Sequence, residues 1–150
     1  MPRHRTLIPL RWSDMDAFGH VNNVQFLRLI EDARVQLIYH HPDTPADHLM
    51  RYPRVVAHQQ IDYLAPLSFR SAPVPIDVWV STVGGASYDM CYEVLDDDGE
   101  RPVVYARALT TMVHVDPKTG RPQRLTESER QEMSSWLDEP IPLRSRGPAK

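Results

Sequence analysis

Two aspartates, a glycine, a histidine and two asparagines fall within Asp14 to Asn23, in the order Asp-Met-Asp-Ala-Phe-Gly-His-Val-Asn-Asn. A carboxylate held across a glycine turn from the amides that open a helix is a layout suited to acyl transfer. A base or nucleophile stands on one side of a carbonyl and oxyanion donors stand on the other. A plainer account fits part of the stretch: Asp14 or Asp16 caps a turn, Gly19 supplies a positive φ, and Asn22 is the N-cap of the helix. Capping consumes one polar side chain, however, and this loop offers Asp14, Asp16, His20, Asn22 and Asn23 together. The surplus calls for a second use.

That use requires a helix directly after the loop. From about Asn22 to His40 the residues Phe26, Ile30, Ala33 and Leu37 recur at helical spacing, and Leu27, Leu29 and Ile38 widen the stripe. The first amides of such a helix, near Asn23 and Val24, lack intrahelical acceptors and carry the positive end of the dipole. An oxygen gaining negative charge is favoured there. Arg28 and Asp32 read as an exposed pair four apart, and Glu31 with Arg34 as a buried or interface ion pair. Asp14 reads as structural, bonding the loop backbone.

The remaining elements must hold this loop and helix in place. Leu7 to Trp12 reads as a short strand kept near a sheet edge by Pro9. Val55 to Leu64, Val74 to Ser81, Tyr88 to Val94 and Val103 to Val115 read as four successive strands, with turn signals at Gly84-Gly85 and Asp96 to Gly99. Thr126 to Leu137 reads as a surface helix. The predicted class is α+β: one domain over residues 1–150, a core from about 7 to 137, and a disordered tail from Pro140. A sheet with two open edges also predicts self-association.

Composition excludes several functions. With 150 residues, 25% charged side chains and a net charge of −3, the chain has no basic field for nucleic acid or an anionic membrane. Its apolar runs are far too short to span a bilayer, and the N-terminus lacks a secretory apolar core. Cys91 is alone and reads as an inert buried thiol. A cytoplasmic protein is expected. His40, His41, Asp43, Asp47 and His48 crowd one linker, yet they lack zinc or calcium spacing, so no metal is expected.

The stretch Arg11 to Arg34, RWSDMDAFGHVNNVQFLRLIEDAR, resembles the opening of the hotdog-fold acyl-CoA thioesterases of the 4-hydroxybenzoyl-CoA thioesterase type. The likeness continues through IDYLAPL, Ile61 to Leu67, a small-residue turn with Ser87, and TMVHVDPKTGRP, Thr111 to Pro122. It implies an antiparallel sheet wrapped around a long central helix, with two sheets joined edge to edge in a dimer. It implies that Asp16 is the catalytic carboxylate and that the backbone N–H at Asn23 polarises the thioester carbonyl. The GHVNN run is also similar to plant acyl-ACP thioesterases. His20 matches their histidine, but Phe18 stands where they have an asparagine.

The resulting expectation is an acyl-CoA thioesterase in which Asp16 is base or nucleophile. Asn23 and Val24 supply the oxyanion site, and His20 and Gly19 position the loop. His58, Tyr63 and Ser87 are pocket candidates, with Tyr63 read as packing rather than reacting. No cofactor is expected, since coenzyme A is part of the substrate. The expected assembly is a homodimer or homotetramer. The alternatives are a hotdog protein that binds acyl groups without hydrolysis and an acyl-ACP thioesterase.

Overall fold

The computed structural model describes residues 3–39 and 53–144. The linker cluster from His40 to His48 lies outside the described residues. The elements are β1 (His4–Ile8), a 3-10 turn (Trp12–Asp14), α1 (Asn23–Tyr39), β2 (Arg54–Tyr63), β3 (Val74–Val83), β4 (Ser87–Asp96), β5 (Val103–His114) and α2 (Glu127–Ser134). The fold is α+β, as expected, with one five-stranded antiparallel sheet in the order β1-β3-β4-β5-β2.

β1 differs from the expected strand at Leu7 to Trp12. It starts earlier, at His4, and stops at Ile8 because Pro9 has no N–H to give the ladder. Thr6 and Ile8 face inward while Leu7 is exposed, so the alternation is regular but short. The residues after it are thereby released into the 3-10 turn and the polar loop.

α1 buries Phe26, Leu29, Ile30, Ala33, Leu37 and Ile38 against one face of the sheet. The opposing layer comes from alternate residues of three strands, including Ile76, Val78, Tyr88, Met90, Tyr92, Ala106 and Ala108. Full burial of each large apolar side chain contributes about 1.5–3 kcal/mol, so this interface fixes how α1 lies on the sheet. The start of the helix is thus held at one end of the sheet.

The other sheet face is also covered in part. Residues from Pro140 to Arg144, expected to be disordered, instead lie across it as a strap. Ile141 is 6% exposed and packs with Trp79 and Cys91, and the Trp79 indole N–H donates to the Glu139 carbonyl at 2.8 Å. Further along, the Arg144 N–H donates to Asp62 at 2.6 Å, on β2. Trp79 and Cys91 point opposite to the α1 layer in sequence alternation; apolar surface on both faces is what draws the strap down. α2 is capped as its sequence predicts, with Thr126 Oγ1 accepting from the Glu129 N–H at 3.1 Å.

Candidate active site

The loop before α1 is built on Asp14. Its carboxylate is fully buried and accepts from the Arg11 N–H at 2.7 Å, the Arg11 side chain at 3.1 Å and Arg28 at 2.7 Å. Its carbonyl accepts from the Asn22 N–H at 2.9 Å. Arg28 also reaches Asp32 at 2.6 Å, so the pair read as merely exposed is one arm of a larger cluster. Two arginines around one buried carboxylate offset its desolvation, and the loop is clamped to the helix flank.

Within that clamp Met15 to Val21 forms a tight hairpin. The Asp16 N–H donates to the His20 carbonyl at 3.0 Å, and the Gly19 N–H to the Asp16 carbonyl at 3.1 Å. Gly19 sits at φ 79°, a conformation that glycine adopts without strain. The Asp16 carboxylate is half-buried. One oxygen accepts from the Phe18 N–H at 2.9 Å, while the other faces the Asn22 side-chain amide at 3.5 Å.

Asn22 joins the acid to the helix. Its amide oxygen accepts from the Val24 N–H at 2.9 Å, the N-cap role expected for it. This corrects one expectation: the Val24 N–H is occupied and is not an open oxyanion donor. The Asn23 N–H has no acceptor among the described residues. Asp16 is therefore linked, through one amide side chain, to a helix start that offers one unpaired donor.

A cavity of about 340 Å³ opens beside that donor, lined by Asn23, His20, Phe26 and Tyr63, with Leu64, Ala65 and Pro66 among its other walls. The Tyr63 hydroxyl donates to the Asn23 carbonyl at 3.1 Å, and its ring meets Phe26 edge-on with centroids 5.6 Å apart. Burial pushes the Tyr63 hydroxyl above the ordinary tyrosine range, against the opposing effect of its bond to Asn23. Tyr63 thus both packs and pins the first turn of α1. Sequence reasoning named it as a pocket residue that packs, and missed its bond to Asn23 because the contact joins residues forty positions apart. Ala65 and Pro66 stood in the quoted IDYLAPL motif without a role in the site.

Other expected site residues do not gather here. Asp16 is not among the cavity walls; the Phe18 N–H holds one of its oxygens back in the hairpin. Ser87 pairs with Val113 and His58 with Thr111, whereas Tyr63 pairs with Ala106. Ser87 thus lies seven residues, about 23 Å, along β5 from the Tyr63 row. The antiparallel register sends those strand positions toward the other end of the sheet, so within one chain neither Ser87 nor His58 lines this cavity. Glu31 and Arg34 approach at 3.7 Å, Arg34 buried and Glu31 exposed. Among the described residues no cluster of three or more metal-ligating side chains occurs.

Residues 10–141 match the model of the Thioesterase-like superfamily. The chain belongs to that superfamily. Solved structures agree with this assignment. A thioesterase from Thermus thermophilus, complexed with coenzyme A and Zn, is 30% identical, with 93% of this chain and 97% of that one covered at a TM-score of 0.71. The probable thioesterase YbaW from Escherichia coli is 25% identical over 89% of this chain and 98% of its own, with a TM-score of 0.72. A predicted thioesterase from Bacillus stearothermophilus is similar in fold, at a TM-score of 0.77 and 22% identity over 93% of this chain and 99% of that one. No curated protein matches the chain. As a member of the thioesterase-like superfamily, this protein is a thioester hydrolase.

Proposed function

We propose that this thioester hydrolase is an acyl-CoA thioesterase whose carbonyl-polarising group is the Asn23 N–H and whose base or nucleophile is Asp16. The support is the side chain of Asn22, which contacts the Asp16 carboxylate and bonds the Val24 N–H, so acid and unpaired donor meet at one helix start. In this reading the thioester carbonyl docks on the Asn23 N–H, and water or the hairpin carboxylate attacks its carbon. His20 lines the cavity and orients the approach, and Gly19 gives the hairpin its turn. No cofactor is needed, because the C–S bond breaks to release coenzyme A as the free thiol and water supplies the new oxygen of the acid.

The same reading takes the fold as a hotdog, with the sheet wrapping α1. It joins two chains through β2, a ten-residue edge strand on which Val55 is 48% and Val56 39% exposed. Such pairing gives a homodimer, alone or doubled into a tetramer, and puts exposed His58 at the seam. The cytoplasm is the proposed compartment. No described helix is long and apolar enough to cross a membrane.

One observation favours a protein that binds acyl groups without turnover: Asp16 does not line the cavity. Thiol release from a panel of acyl-CoA thioesters separates the two readings. Asp16→Asn is expected to lower turnover by about 10²–10⁴-fold while the circular dichroism spectrum is unchanged. Equal rates for wild type and variant would reject the assignment. Acyl-ACP substrates, run in parallel, decide the carrier.

A further inference from the structure

A second groove, of about 270 Å³, runs between α1 and β2. One stripe of the helix, Val24, Leu27, Arg28, Glu31 and Arg34, forms one wall, and Val56 and Gln59 form the other. The stripe begins at Val24, next in the chain to the unpaired Asn23 donor that faces the first cavity. Its lining is mixed: Val24, Leu27 and Val56 are apolar and Arg28, Glu31, Arg34 and Gln59 polar, with Val56 the deeper of the two β2 residues because β2 runs back toward the helix start at Tyr63.

Arg34 is the unusual member. Its side chain is 9% exposed, yet its one carboxylate partner among the described residues is Glu31 at 3.7 Å, itself 65% exposed. One nitrogen donates to the Tyr92 hydroxyl at 3.3 Å, and that hydroxyl pairs with Thr110 Oγ1 at 2.6 Å. Tyr92 and Thr110 steady the guanidinium but bring no negative charge. A buried guanidinium with such weak compensation is costly, and a carboxylate arriving along the groove would offset that cost with charge-assisted bonds. Arg28, the other cation of the groove, is already engaged by Asp14 and Asp32.

We infer that the α1–β2 groove takes an acyl group whose far end carries a carboxylate, received by Arg34. This rests on the acyl-CoA reading, since it assumes the thioester carbonyl at Asn23. Arg34 lies eleven residues, about 16 Å along the axis, beyond Asn23, and its side chain inclines back toward the helix start. The span suits a dicarboxylic acyl group of medium length.

The test compares adipoyl-CoA and suberoyl-CoA with hexanoyl-CoA and octanoyl-CoA, as thioesters for turnover and as non-hydrolysable thioethers for binding by calorimetry. The expected result is at least a tenfold preference for the dicarboxylic member of a pair, in kcat/KM and in Kd. Arg34→Met should erase the preference and Arg34→Lys should retain part of it, both with a native circular dichroism spectrum. Equal or weaker binding of the carboxylate-bearing thioether to wild type overturns the inference, even if the variants fail to fold. Turnover without preference would leave the thioesterase reading standing and remove this one. Preferential thioether binding without turnover would do the reverse.

Discussion

The Tyr63 hydroxyl donates to the Asn23 carbonyl at 3.1 Å and so ties the last residue of β2 to the first residue of α1. The bond fixes the first helical turn against the strand that walls the cavity. Its raised hydroxyl pKa keeps Tyr63 protonated through and beyond the neutral range, so the donor is never lost there.

Tyr63→Phe removes that donor and keeps the ring on Phe26. Turnover should fall several-fold, and the loss should be the same at every neutral and mildly alkaline pH. Stability should change by about 1 kcal/mol or less, since the contact is partly exposed. A pH–rate profile of both proteins checks the first point; a loss that varies across the neutral range would contradict it.

Asp14→Asn tests the clamp. The variant loses charge-assisted bonds from Arg11 and Arg28 to a fully buried carboxylate, which should cost about 1.5–3 kcal/mol of stability. Urea denaturation reads this directly. Turnover should fall as well, because the Asp16 hairpin is anchored through the same residue. Full stability in the variant would mean the cluster is decorative.

Asp96 gives a pH-dependent contribution at the same end of the sheet as Tyr63. Arg70 beside it holds its carboxyl below the usual aspartate range, burial opposes this, and Tyr105 adds a second donor. A depressed folded value means the contribution is complete above the unfolded value and is lost as pH falls through the folded one. Asp96→Asn should therefore lower Tm at neutral pH, and the gap from wild type should close in acid. A gap that stays constant with pH would refute the linkage.

Cys91 is fully buried under Ile141, and burial pushes its thiol up. The native protein should not react with a disulfide reagent over the minutes of a thiol-release assay, and one thiol should appear on denaturation. Rapid labelling of the native form would show that the strap opens.

Much of this architecture was readable from the residues. The 3.6 spacing from Phe26 to Leu37 and the alternation in Val74 to Val94 placed α1, β3 and β4 because burial enforces those periods. The Asp-x-Asp and Gly-His-Val-Asn-Asn run pointed to the loop and to Asn22 as cap, since capping is local. What stayed hidden was relational. That Val24 is the amide Asn22 occupies, that Tyr63 reaches Asn23, and that Ser87 falls at the far end of the sheet all depend on register between distant strands. The strap was missed for a similar reason: a proline-rich tail has no period, and its anchor is apolar surface on the back of β3 and β4.

That strap constrains how copies of this chain can associate. With Ile141 seated on Trp79 and Cys91, another sheet cannot stack onto this patch without first peeling the tail away. Lateral strand addition at β2 leaves Ile141 seated, although the same tail is bonded to β2 through Asp62. Because the tail is also fastened to Asp62, next to Tyr63, clipping it at Asp138 would slacken the strand that braces the mouth of the cavity.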